Sequence, residues 1–220
     1  MFGNSNMVGS SASGRILDSH MKHELPHFQI DDSYGGNQDW FPTFMMRIGG
    51  CGAETACDSS IYFALHHGLY NIAPESAGEL SKEDYIRFAY EMKPYLSPRM
   101  SGIDRLDIYM DGYARFLKDR GENRITMESL NGTEPYETAQ KAVKQQIDLR
   151  IPIPTLVLNH RNKSFRDYVW HWFLINGYDD TDDEFLVKAV TYSKYEWLDF
   201  RQLWDTGHER RGGLVLYHLN

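Results

Sequence analysis

The sequence is poor in the features that mark several large classes of protein. Its 220 residues include two cysteines, too few for a disulfide framework, and the net charge is −8. An acidic balance argues against nucleic acid or an anionic membrane surface as the main partner. Apolar runs stay well short of the roughly 18 residues of a transmembrane helix, and the first residues do not have the pattern of a signal peptide. We therefore expect a cytoplasmic protein that binds neither nucleic acid nor membrane.

What is present is an ordinary globular composition with many aromatics. Hydrophobic residues make up 41% of the chain, charged residues 25% and aromatic residues 14%. The first residues are rich in Ser, Gly and Asn, so we expect a flexible N-terminal arm over residues 1–27 and one domain over residues 28–220. The irregular spacing of His20, His23 and His27 favours exposed polar side chains over a metal site. We expect no metal and no cofactor.

Hydrophobic periodicity divides the chain into a helical first half and a second half rich in strands. Residues 28–50 are expected to be mostly loop. The predicted helices cover residues 51–69, 81–95, 103–118, 133–149 and 198–204, and the predicted strands cover residues 125–130, 152–158, 170–178, 185–192 and 212–218. This order predicts an α+β fold.

Cys51 stands at the point where glycines give way to a helical pattern. Gly49, Gly50 and Gly52 permit a close backbone approach. The first turn of a helix offers free N–H groups and the positive end of the dipole, which favour a thiolate. Cys51 is therefore a candidate nucleophile. The alternative is a small buried thiol that packs like alanine. Cys57, six residues on, points to another face and is not expected to form a disulfide with Cys51.

Two further side chains could complete a site around this cysteine. His171 begins a hydrophobic strand and could act as the base that a thiol nucleophile needs; the alternative is a core histidine with satisfied hydrogen bonds. Gln38, thirteen residues before Cys51, could donate a hydrogen bond to an oxyanion. It could equally be an ordinary loop residue, and Asn37 is the second choice for the donor.

The segments around Cys51 and His171 together resemble a known family. Residues 49–53 read Gly-Gly-Cys-Gly-Ala, and residues 171–180 read His-Trp-Phe-Leu-Ile-Asn-Gly-Tyr-Asp-Asp. Both segments, in this order, resemble the papain-superfamily peptidases related to the bacteriocin-processing, double-glycine peptidases. The resemblance covers roughly residues 37–205. It implies a papain-like fold, with N-terminal helices followed by a mostly antiparallel sheet, and a peptide or protein substrate.

The family's third catalytic residue, an Asp or Asn, is not found where the resemblance implies it. A hairpin turn centred near residues 181–182 places His171 opposite Tyr192, so the residue would fall within 190–193. That stretch reads Val-Thr-Tyr-Ser. Thr191 or Ser193 could orient the imidazole weakly, and Asp167 could reach it from elsewhere. Ala53 also stands where the family usually has proline.

The resemblance implies a cysteine peptidase or a related thiol acyl-transfer hydrolase. Cys51 and His171 would form its dyad, Gln38 would hold the oxyanion and Thr191 would orient the imidazole. Since the third residue is missing, the alternative is a non-catalytic papain-like fold that serves as a binding module.

Overall fold

An antiparallel sheet forms the centre of the protein. The computed structural model describes residues 20–100 and 102–220. Within these ranges the strands are β1 (Met21–Glu24), β2 (Gln29–Ile30), β3 (Ser33–Tyr34), β4 (Ile125–Asn131), β5 (Ile153–Val157), β6 (His171–Asp180), β7 (Phe185–Thr191), β8 (Lys194–Asp199) and β9 (Gly212–Leu219). Six of them lie in the order β4-β9-β5-β6-β7-β8, and β1 pairs with the far end of β6. The fold is α+β.

Six helices accompany the sheet in the described part of the chain. They are α1 (Phe44–Gly49), α2 (Cys51–His67), α3 (Lys82–Met92), α4 (Leu106–Asp119), α5 (Tyr136–Asp148) and α6 (Phe200–Trp204). Every residue of α2 from Cys51 to Ala64 is buried, so this helix has no solvent face over most of its length. All of β5 is buried as well, which means that both faces of the sheet are covered there. The helix with Cys51 at its start therefore lies inside the protein.

The predicted order of elements is confirmed, with five additions among the described helices and strands, two of which, β2 and β3, pair with each other in the segment expected to be loop. The missed α1 has only six residues, and its N-cap Thr43 makes no capping hydrogen bond through its side chain. The missed β8 is exposed over residues 194–196, as an edge strand often is. The missed β1 is exposed at all four positions, so it shows no alternation.

The described end of the predicted N-terminal arm belongs to the sheet. Residues 21–24 pair with residues 177–180 of β6, and Leu25 is buried just beyond them. The expectation of a flexible arm reaching to residue 27 is corrected for these residues, because backbone pairing rather than an apolar face holds β1 in place. Residues 1–19 lie outside the described residues.

The hairpin of β6 and β7 has a register one residue away from the prediction. Leu174 pairs with Val190 and Ile175 with Ala189, and a bulge separates these pairs from Tyr178 and Val187. Asp180 pairs with Phe185, so the turn is centred later in the chain than expected. The bulge then reduces the resulting difference in register between the observed and the predicted pairs. His171 still enters the strand near the end of β7, where an orienting residue was expected.

Candidate functional site

Cys51 is the first residue of α2, as the glycine pattern predicts. The glycines allow close packing on both sides of it. A Cβ on Gly50 would lie 2.2 Å from the carbonyl oxygen of Met46, and one on Gly52 would lie 2.9 Å from Cδ1 of Ile103. The turn from α1 into α2 is therefore too tight for side chains at these positions.

The start of α2 packs against the start of β6. The backbone N–H of Trp172 faces the Cys51 thiol and favours its thiolate. Trp172 is itself fixed, since its indole N–H donates to the carbonyl of Ile103 at 2.6 Å and its ring stacks on Tyr109 with centroids 4.4 Å apart. His171 is the residue before Trp172, so the structure places the two predicted site residues on neighbouring elements.

His171 has the partner that the returning strand was expected to supply. Its Nε2 lies 2.7 Å from Thr191 Oγ1, and both side chains are buried. The contact is made through Nε2, which leaves Nδ1 without a hydrogen bond in the described part of the chain. Tyr192 covers the imidazole, with ring centroids 4.7 Å apart and planes at 6°.

Asp167 does not orient the imidazole in this structure. Its side chain is 74% exposed, and its carboxylate lies 3.5 Å from the guanidinium of the neighbouring Arg166. The suggestion that Asp167 reaches His171 is therefore wrong for this conformation. The Ser193 hydroxyl is buried and has no partner among the described residues, so of the two candidate hydroxyls it is Thr191 that contacts the ring.

Burial keeps both members of the pair neutral. It raises the pKa of the Cys51 thiol to about 11; the Trp172 N–H opposes this effect of burial, and Glu54 makes a smaller upward contribution. Burial also lowers the pKa of His171 to about 3. The helix N-terminus was expected to favour a thiolate, and here desolvation outweighs it. No hydrogen bond joins Cys51 and His171 within the described residues, so at rest Cys51 is a thiol and His171 is a neutral imidazole.

Both predicted oxyanion donors make hydrogen bonds within the protein. Gln38 is buried in the 3-10 turn Gln38–Trp40, and its Nε2 donates to the carbonyl of Arg47 at 3.0 Å. Asn37 caps the same turn, with Oδ1 accepting from the backbone N–H of Asp39 at 2.9 Å. An amide nitrogen carries two N–H groups, so these contacts fix the two side chains without excluding either as a donor.

Two buried acids on α2 lie beside this turn and were not predicted. Asp58 accepts from the Tyr85 hydroxyl at 2.7 Å and from the backbone N–H of Gly36 at 3.2 Å. Glu54, one turn before Asp58, faces the backbone N–H of Gln38. Burial raises the pKa of Asp58 to about 7 and that of Glu54 well above its usual range. The sequence feature that could have indicated these buried acids is a pair of carboxylates four residues apart on a helix without a polar face.

A surface cavity of about 400 Å³ adjoins the pair. Thr191 and Tyr192 form one part of its lining, and Asn37, Asp39 and Asp167 form others. Tyr192 therefore separates the buried imidazole from this cavity.

The histidines near the N-terminus form no metal site in the described residues. His20 and His23 each lie 2.6 Å from a carboxylate, of Asp179 and Asp148 respectively. His27 stacks between Phe28 and Tyr34, with both ring nitrogens buried and unpartnered in this part of the structure. Residues 20–100 and 102–220 contain no group of three His, Cys, Asp or Glu side chains that could hold a metal ion. Within the same ranges, every helix is too short or too polar to cross a bilayer.

Comparison of the chain with family models, with curated protein sequences and with solved structures finds no match.

Proposed function

We propose that the chain is a cysteine hydrolase of papain-like design, either a peptidase or a related acyl-transfer enzyme, with Cys51 as nucleophile and His171 as base. The observation that carries this proposal is the position of His171. Its Nε2 is held by Thr191 at 2.7 Å, and the next residue presents its backbone N–H to the Cys51 thiol. A base held at one ring nitrogen and placed next to a thiol is the arrangement that nucleophilic catalysis needs.

The reaction follows from these groups. The Cys51 thiol gives its proton to the free Nδ1 of His171, and Sγ bonds to the carbonyl carbon of the substrate while the carbonyl electron pair moves to oxygen. Collapse of this oxyanion breaks the bond to the leaving group, which takes the proton from His171. Water then attacks the thioester, gives a proton to His171 and releases the Cys51 thiolate, which is reprotonated. Thr191 keeps the ring oriented through Nε2.

Catalysis on this plan needs an opened state of the site. Cys51 and His171 are each only 3% exposed, and Tyr192 stacks over the imidazole. Displacement of Tyr192 by a peptide in the neighbouring cavity would admit a substrate carbonyl to the thiol. The proposed substrate is a peptide or protein in the cytoplasm, and nucleic acid and membrane are not proposed as partners.

Acyl transfer from p-nitrophenyl acetate tests the proposal without knowledge of the natural substrate. We expect one equivalent of p-nitrophenolate to be released quickly by the parent and by Cys57→Ser, the matched control on the same helix. Cys51→Ser should lose this fast phase, because the attacking sulfur is gone. A fast phase that survives Cys51→Ser, or that is missing from the parent, would contradict the proposal.

The burial of the pair favours a second candidate function. A thiol with a pKa of about 11 beside an imidazole with a pKa of about 3 is an unreactive combination. Thr191 also supplies no charge to stabilise an imidazolium. A papain-like domain that binds a ligand in the cavity beside Tyr192 without catalysis would have these properties. A parent protein that is inert toward the ester, yet shows a saturable change in Trp fluorescence with peptide, would favour this function.

A further inference from the structure

Glu54 is a buried acid with an unused oxygen one turn after Cys51. Its side chain is 3% exposed, and Oε2 has no hydrogen-bond partner among the described residues. A buried polar atom without a partner destabilises the fold unless it serves another purpose. Residues three apart on a helix lie on the same side, so the unpartnered oxygen belongs to the face that carries the Cys51 thiol.

The surroundings of Glu54 keep a proton on its carboxyl group. Burial is the main cause of its raised pKa, and the nearby Asp58 adds to it, whereas the backbone N–H of Gln38 opposes them. These surroundings favour the neutral carboxylic acid, which can donate a hydrogen bond through its O–H. A buried acid of this kind can act as a donor to an oxyanion.

Glu54 also faces the place where the reaction would occur. The Cys51 thiol is sensitive to the charge of Glu54. Burial is the largest cause of the raised pKa of the Tyr192 hydroxyl. The next largest contributions come from Cys51 and then from Glu54. Cys51 and Glu54 therefore both lie within electrostatic range of the Tyr192 hydroxyl.

One N–H of the donor expected from the sequence is engaged within the protein, and Glu54 offers a second donor. The Gln38 amide donates to the carbonyl of Arg47. We propose that the protonated carboxyl of Glu54 donates a hydrogen bond to the substrate's carbonyl oxygen as Cys51 attacks, alongside the backbone N–H of Cys51. The inference rests on the proposed hydrolase function and adds a third catalytic residue to it.

Two reagents separate this role from a structural one. Acylation of Cys51 by p-nitrophenyl acetate passes through an oxyanion, whereas alkylation by iodoacetamide does not. The informative variants are Glu54→Gln, which keeps an N–H donor, and Glu54→Met, which keeps the size without a donor. Asp58→Asn is the matched control, because Asp58 is the other buried acid on this helix.

We expect Glu54→Met to slow acylation by about 100-fold without slowing alkylation. Alkylation should keep the parent rate, because a protonated Glu54 carries no charge that acts on the thiol. Glu54→Gln, which keeps a weaker donor, should lose less than Glu54→Met, and Asp58→Asn should acylate at nearly the parent rate. Peptide mapping confirms Cys51 as the modified residue, and thermal unfolding confirms that each variant is folded.

Three results would overturn the inference. Equal slowing of both reactions by Glu54→Met would show a structural role, and unchanged acylation would show no role. If Glu54→Met does not fold, acylation by Glu54→Gln becomes the test, and a large loss there with alkylation intact would contradict a donor role. A parent that is alkylated but never acylated at Cys51 would remove the proposed function itself, which distinguishes that failure from failure at Glu54.

Discussion

The two cysteines of α2 share a helix and a buried setting, but they differ in what surrounds the sulfur. Cys51, at the helix start, faces the backbone N–H groups of Trp172, Gly52 and its own residue, and these oppose the effect of burial on its pKa. Cys57, in the helix interior, has the charges of Asp58, Glu54 and Glu91 adding to burial, so its pKa rises well above the usual range. Position along one helix, rather than burial, separates a candidate nucleophile from a core thiol.

Alkylation should show the largest difference between these two positions. We expect iodoacetamide at pH 8 to modify Cys51 about 1,000-fold faster than Cys57, because Cys57 becomes accessible only when the core opens. Peptide mapping over a time course measures both rates. In guanidinium chloride the two rates should converge. Equal rates in the native protein would remove the distinction between the two thiols.

Substitution of the glycine before Cys51 should damage the helix start. We expect Gly50→Ala to lower the free energy of unfolding by about 3 kcal/mol, because the new Cβ would lie 2.2 Å from a backbone oxygen. Gly52→Ala is the control: its Cβ meets the end of a flexible side chain at 2.9 Å, so the loss should be smaller. Urea unfolding measures both. A harmless Gly50→Ala would mean that the tight turn does not hold Cys51 in place.

His171 should make the protein less stable in acid. Its pKa is 6.5 in the unfolded chain and about 3 in the fold. Between these pH values the imidazole binds a proton in the unfolded state but not in the native state. The stability is therefore present above pH 6.5 and is lost as the pH falls from 6.5 toward 3, at about 1.4 kcal/mol per pH unit. The comparison is with His171→Gln, which keeps all other titrating groups, in urea unfolding at pH 6, 5 and 4. Parallel slopes for the two proteins would show that His171 is not held neutral.

A charge on the returning strand should activate the thiol. We expect Thr191→Asp to raise Cys51 alkylation at pH 6 by about fivefold, roughly 1 kcal/mol, because a carboxylate stabilises an imidazolium and so a thiolate beside it. Thr191→Asn is the uncharged control and should change the rate little. If both variants behave like the parent, the Thr191 contact does not influence the pair.

The sequence was informative where a local pattern decides the structure. The glycines around Cys51 predict a helix start, and the turn after residue 178 predicts a hairpin that brings His171 close to Thr191. The β7–β8 turn was missed because Tyr192 and Ser193 take the left-handed conformation, with φ of 52° and 60°, without an Asn-Gly signal. That turn decides how Tyr192 covers the imidazole.

Tertiary burial was the other property that could not be predicted from the sequence. The helix dipole suggested a lowered thiol pKa for Cys51, yet the depth of the helix start in the core decides the opposite direction. For the same reason a role for Glu54 could not be predicted from the sequence, since it depends on a carboxyl oxygen that the fold leaves without a hydrogen-bond partner. The hydrogen bond from the Gln38 amide to the carbonyl of Arg47 likewise depends on the packing of α1. This helix was not predicted from the sequence.

The central claim is that His171 is the base for Cys51, and acylation of Cys51 by p-nitrophenyl acetate in the parent and in His171→Gln tests it most directly. We predict that the parent acylates Cys51 at pH 7 and that the variant does so about 100-fold more slowly. The two rates should approach each other as the pH nears 11, where the thiol ionises without help. Equal rates at pH 7, with Cys51 modified in both proteins, would contradict the account.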